Sequence, residues 1–163
     1  MAGLLTPILN EIQTALRADI NTEKDALDNT LADVQSDSIR IEHFELMIED
    51  YPWINIYPFG ESQISEGNEE SNITHQIPWN IVTSVQITGN NSEQIIKDID
   101  VYAIAMAKAI IKHGTESWGL NGVCDQLFIE SISHQGFAGD EVDSVTIGNF
   151  IQWTFNKEYN LTS

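Results

Sequence analysis

The chain has 163 residues and is 42% hydrophobic, enough to close a globular core and too apolar for a disordered acidic tail. A single domain spanning 1–163 is expected, and a chain of this size can bury about 70% of its unfolded surface. Seven Lys and Arg stand against 25 Asp and Glu, a formal charge of -18, which argues against gripping nucleic acid or an anionic membrane, since both need cations.

Leu4, Leu5, Ile8, Leu9, Ile12 and Leu16 recur at helical spacing, so a helix from about Leu4 to Ala18 is expected, with Pro7 tolerated in its first turn. The opening MAGLLTPILNEIQ lacks a basic start, and Asn10, Glu11 and Gln13 interrupt its apolar residues. Neither a secretory leader nor a membrane span is expected there, and folding in a cytosol is. The polar stretch Asn21 to Val34 fits either a second short helix or an ordered loop. SIRIEHFELMIED is ambiguous, because Ile39 and Ile41 alternate like a strand while Ile41, Phe44 and Ile48 fit a helix.

YPWINIYP reads as a short strand between Pro52 and Pro58. ESQISEGNEESN follows, an acidic loop from Glu61 to Asn72 that carries Glu61, Glu66, Glu69 and Glu70. The next segment, ITHQIPWNIVTSVQI, places Ile73, His75, Ile77, Trp79, Ile81, Thr83, Val85 and Ile87 on alternate positions. It predicts a half-buried antiparallel strand of roughly 50 Å. Pro78 cannot donate to a ladder, so the strand is expected to keep a free edge or a bend there, and a long free edge needs a cover. TGNNSEQ supplies a turn and a cap from Asn91 or Ser92. Ile95, Ile99, Tyr102, Met106 and Ile110 then mark a helix ended by Gly114. WGLNGV reads as a turn, and DQLFIESI and VTIGNFIQWTFNKEY as paired strands joined by the loop SHQGFAGDE. This order predicts an α+β fold: a single layer of mostly antiparallel sheet with helices packed on one face.

No catalytic constellation converges in the sequence. His43, His75, His113 and His134 are scattered, and Cys124 is alone, so neither a zinc site nor a disulfide within the chain is expected. Ser133, His134, Asp140 and Asp143 can be sketched as a triad, but adjacent Ser and His do not make nucleophile–base geometry. GTESWGLNG lacks the ending of a phosphate loop, and GNEES lacks the spacing of a calcium loop. Trp53, Trp79, Trp118 and Trp153 come without interleaved cations, so packing explains them better than base stacking.

Taken together, the opening helix, YPWINIY, HQIPWNIVTSVQI, the helix IIKDIDVYAIAMAKAIIK, WGLNGVCDQLFIES and the closing IQWTFNKEY resemble the tail-terminator (tail-completion) and neck proteins of long-tailed bacteriophages. The stretch from Asn21 to Asp50 has no counterpart in that likeness. The resemblance implies a non-enzymatic structural protein without cofactors. It implies assembly in the host bacterial cytoplasm into a virion as a ring, commonly hexameric. Its partners would be the tail tube protein and a neck or head-completion protein, with DNA passing through unbound. On that reading, Glu61, Glu66, Glu69 and Glu70 form a negative collar facing the lumen or a partner. His75, Ile77, Pro78 and Asn80 lie on the strand that meets a neighbouring copy. The rival is an acidic DNA mimic that blocks a host DNA-binding protein, with Asp19, Glu23, Asp25, Asp28 and Asp33 spaced like phosphates.

Overall fold

Ile8, Leu9, Ile12, Ala15, Leu16 and Ile20 form one buried stripe, and Pro7 occupies the first turn, so the first helix winds without interruption through the polar residues that follow. In the computed structural model, which describes residues 3–46, 51–62, 65–66, 74–113, 118–138 and 144–161, helix α1 runs Thr6–Leu27. It runs nine residues past the end that the apolar pattern predicts, because Lys24 and Asn21 turn their polar ends inward to bind the chain that returns beneath them. Asn21 donates to the Val34 carbonyl at 2.9 Å and accepts from the Val34 N–H at 2.8 Å. Lys24 Nζ reaches Asp25 at 2.6 Å, the Leu31 carbonyl at 2.7 Å and Asp33 at 2.8 Å. Burial works against that ammonium, but the bonds to Asp25 and Asp33 outweigh it and hold the group above the ordinary lysine value. The stretch that suggested a second helix or a loop is therefore the end of α1 and a tied-down return.

A short 3-10 turn, Ser36–Ser38, leads into β1 (Ile39–Ile41), so the start of the ambiguous segment is strand, residues 42–46 are neither strand nor helix, and 47–50 lie outside the described residues. Strands β2 (Trp53–Pro58), β3 (Ser65–Glu66) and β4 (Thr74–Gly89) follow. Helix α2 (Ser92–Lys112) begins at an Asn91 cap whose side chain accepts from the Gln94 N–H. A five-residue helical turn, α3 (Trp118–Gly122), stands where a plain turn is expected. Strands β5 (Gln126–Ala138) and β6 (Val145–Asn160) close the chain. Strand β5 runs on through SHQGFA, which the sequence suggests is loop. The Gly114 cap lies outside the described residues.

The sheet order is β1-β2-β4-β6-β5, with β3 beside the start of β4. Only β1 and β2 run parallel; the other pairs are antiparallel. Helices α1 and α2 pack on each other and on one face, α2 lying over β4 and β6. The fold is thus α+β with one mostly antiparallel sheet and its helices on one side.

Two expectations about β4 are corrected. Its whole length, Thr74 to Gly89, pairs with β6. Its other side pairs with β2 over Ile81–Gln86 and with β3 at His75 and Gln76. The strand expected to offer a long free edge is the centre of the sheet. Half-burial holds for its first part, 74–80, but not for 81–87, which are buried on both faces. Ile81, Thr83, Val85 and Ile87 meet the helices. Val82, Ser84 and Gln86 lie on the opposite face, which is partly covered by the chain between β1 and β2. There Phe44 packs 4.9 Å from Phe150 and 5.7 Å from Phe137, and Gln86 donates to the Glu45 carbonyl at 2.6 Å. Period-two alternation shows which residues share a face and is silent about a second cover.

Candidate functional site

The proline in β4 shows how the register is arranged. The Phe59 N–H donates to the Asn80 carbonyl at 3.1 Å, so the backbone groups of Pro78, Asn80 and Val82 point toward β2 and β3, away from β6. Pro78 therefore deprives the long β4–β6 ladder of nothing. Its backbone nitrogen faces the side where, among the described residues, β4 has no partner between β2 and β3; nearby, Pro58, Gly60 and Trp79 help line a hollow of about 220 Å³. Asn80 is tied inside the subunit: Nδ2 donates to the Glu61 carbonyl at 2.8 Å and Oδ1 accepts from Thr154 at 3.4 Å. Ile77 is buried at 2% exposure. His75 is half-buried in the ladder opposite Tyr159, and its Nδ1 has no hydrogen-bond partner among the described residues. His75, Ile77, Pro78 and Asn80 thus belong to an interior strand, which corrects their placement on an open edge.

Of the acidic loop, Glu61 is exposed at its start and Glu66 lies in β3 opposite His75. Glu69 and Glu70 fall outside the described residues, so the collar is not brought together here. The acids of the rival reading are committed to internal work. Glu23 takes Lys112 at 3.2 Å, Asp25 and Asp33 hold Lys24, and Asp19 lies 3.7 Å from His113. Asp28 accepts from the Thr30 hydroxyl and N–H, which hold its carboxyl below the usual range.

The sketched triad also separates. Ser133 pairs with Phe150 and His134 with Asn149, so the two side chains project from opposite faces of β5. Asp140 and Asp143 lie outside the described residues. His134 Nε2 is 3.2 Å from Asn149 Nδ2, and His113 Nε2 is 2.8 Å from Glu11. Among the described residues no group of three His, Cys, Asp or Glu is placed to hold a metal ion, and no helix is long and apolar enough to cross a membrane. Cys124 is buried at 2% exposure, and desolvation pushes its thiol up to about 11.

What the sequence did not single out is β5. It is a 13-residue strand at the end of the sheet order, with β6 as its one neighbour among the described residues. Phe128, Ile129 and Ile132 on it are 46%, 38% and 53% exposed. The flank of α2 adds exposed Ile96 and Ile104. Between the two elements lies an open hollow of about 470 Å³ bordered by Ile96, Lys97, Asp100, His134 and Ile147. The other edge of the sheet differs. Strand β1 has three residues, and Gln13 and Arg17 of α1 donate to the Ile39 carbonyl at 2.9 and 3.1 Å. The run LFIESI carries the relevant apolar residues in plain sight, but their exposure depends on which strand ends the sheet, and that is decided by pairing.

Neither a scan against protein-family models nor a search of curated proteins returned a match to this chain.

Proposed function

We propose that this chain is a structural virion protein that forms a ring at the head-proximal end of a phage tail. There it stops tube growth and joins tail to neck while DNA passes through the ring. The observation that carries the reading is the long unaccompanied strand β5 with exposed Phe128, Ile129 and Ile132, a surface suited to assembly more than to turnover of a small molecule. The order of elements that underlies the likeness to tail-terminator and neck proteins supports it as well. The contact surface is not the one the sequence suggests, since β4 is interior; the long sheet edge left for a contact with tube or neck is β5. The surplus of carboxylates suits a passage that DNA must traverse without sticking.

Electron microscopy of particles made without this protein tests the proposal. Tails of uncontrolled length, or tails detached from heads, are expected. Normal virions refute it. A pull-down from host lysate separates the rival, because a DNA mimic brings down a host nuclease or DNA-binding protein instead of tube or neck components.

A further inference from the structure

We propose that the outer edge of β5 receives an extended segment of a partner protein as an additional strand, and that this segment alternates apolar with basic residues. The inference rests on the assembly reading above and narrows the partner to a strand donor of that chemistry.

The backbone defines the acceptor. Because Asn80 turns its polar groups away from β6, the residue opposite it, Thr154, turns its own toward β5, as do the other even-numbered residues of β6. The bond from the Asp125 N–H to the Asn156 carbonyl, 2.7 Å, agrees with that phase. A bulge at Glu130 shifts the register, after which Ser131, Ser133, Gln135 and Phe137 face β6. Ile132, His134 and Gly136 therefore direct their N–H and C=O groups outward, where no other described strand lies. A strand is the ligand that matches such a row, and the stretch Ser131–Ala138 beyond the bulge is long enough for one.

Side chains define the pattern. On the helix face of the sheet, α2 covers β4 and β6 and leaves Ile132 exposed beside the hollow under Ile96. Every second residue of an incoming strand would project over that face, beside Ile132 and toward α2, so those positions should be apolar.

Charge selects between a second copy and another partner. On the face away from the helices, where the basic positions of the incoming strand fall, Glu130 marks the bulge, its carboxylate accepting from the Thr154 hydroxyl at 3.0 Å, and Asp125 and Glu158 stand together at the start of β5; Asp100 borders the hollow on the opposite face. Three cations lie nearby: Lys97 pairs with Glu93 at 2.9 Å, Lys157 shares Asp125 at 3.8 Å, and Lys108 is exposed on α2, so the carboxylates outnumber them here but do not stand alone. A second copy would bring another -18 to this acidic border, whereas lysines or arginines on the incoming strand would face carboxylates.

The test uses the full chain and a synthetic peptide of about nine residues alternating valine with lysine, a length that spans the acceptor stretch. Amide exchange is followed by NMR at about 0.05 M salt, where surface charge is least screened. Exchange at Ile132, His134 and Gly136 is expected to slow by at least about tenfold, while the inward amides of Ser131, Ser133 and Gln135 keep their existing protection. Raising the salt should weaken binding, and a glutamate-for-lysine peptide should give no effect. Ile132→Pro removes an outward N–H without touching the β6 ladder and should abolish the protection. Ile132→Lys, which keeps the backbone donor and adds a like charge to the acceptor, should weaken it if the proline variant does not fold. Peptide binding without slowed exchange at the three outward amides overturns the proposal. So does protection of those amides by rising protein concentration alone, which would make a second copy the occupant. Failure here leaves the ring reading standing, and normal virions without the protein would remove the ring reading while leaving a docked peptide unexplained by it.

Discussion

Replacing Lys24 by Met keeps most of the buried stem and removes the ammonium that gathers Asp25, Asp33 and the Leu31 carbonyl. Stranding a fully buried counter-charge costs about 3–5 kcal/mol. Here the two aspartates are 50% and 57% exposed, so water can replace most of what the lysine gave them. Counting each of the two carboxylate contacts at about 0.5 kcal/mol and the charge-assisted bond to the carbonyl at about 1.5–2 kcal/mol gives a loss of about 2.5–3 kcal/mol. For a chain of this length that lowers the melting temperature by roughly 5–10 °C. Urea titration should show a lower midpoint at unchanged slope, since the same core unfolds. The loss should also be local. The Asp28 N–H, bonded to the Lys24 carbonyl at 2.8 Å, and the Val34 N–H, bonded to Asn21, should exchange faster than amides in β4. Adding Asp25→Asn and Asp33→Asn to the methionine variant removes the left-over charges and should recover part of the stability. A change below about 0.5 kcal/mol for Lys24→Met would refute the view that this cation, and not helix propensity, holds the last turns of α1 and the return to β1.

A side chain at Gly89 would run into Ile95 Cγ2 in the first turn of α2. Ile95 is buried and branched at Cβ, so it cannot swing aside, and Gly89→Ala should destabilise the chain by about 1–3 kcal/mol in chemical denaturation. Raising the Cys124 thiol from 9.0 to about 11 makes the folded state hold a proton that the unfolded state has released. Stability from this group is therefore complete below pH 9 and is lost as pH rises through the folded value, about 3 kcal/mol in all. The difference between the pH profiles of the native chain and Cys124→Ala isolates that loss, and parallel profiles between pH 9 and 11 would contradict it.

The layered architecture was legible because its signals are local. The stripe from Ile8 to Leu16 and the stripe from Ile95 to Ile110 each point one way, and Asn91 caps where a capping side chain is expected. The extension of α1 to Leu27 was not legible, because Asn21 and Lys24 look like solvent-facing residues until Val34 and Asp33 return to meet them. Sheet order was the larger miss. Long alternation and a proline in HQIPWNIV made β4 look like a strand with an open side. In the fold, Pro78 is accommodated by a gap between two short strands, while β6 takes the other side for sixteen residues. Nothing in a strand's own sequence states whether its proline faces a gap in the sheet or its boundary. The edge character of β5 was hidden for the complementary reason. Its exposed Ile129 and Ile132 have the composition of a core strand and are left bare only because α2 lies over β4 and β6.

The placement of the few cations explains why so acidic a chain can fold and yet stay poorly suited to self-association. Lys24 closes the end of α1, Lys112 ties α2 back to Glu23, and Arg17 is spent on the carbonyls of Ser36 and Ile39. Arg40 lies 4.9 Å over the ring of Trp53. These contacts are where positive charge does most for internal cohesion, and they leave Lys97, Lys108 and Lys112 as exposed lysines against a large excess of carboxylates. Copies approaching one another then meet mainly carboxylates, so contact between them has to be driven by apolar area and backbone bonds strong enough to offset repulsion, or preceded by a cationic partner that lowers it. At β5 the first route is short, for the bulge at Glu130 ends the regular row of outward donors at Ile132 and places a carboxylate at its end. The second route has no such limit, because the same carboxylate becomes a point of attraction for a basic strand.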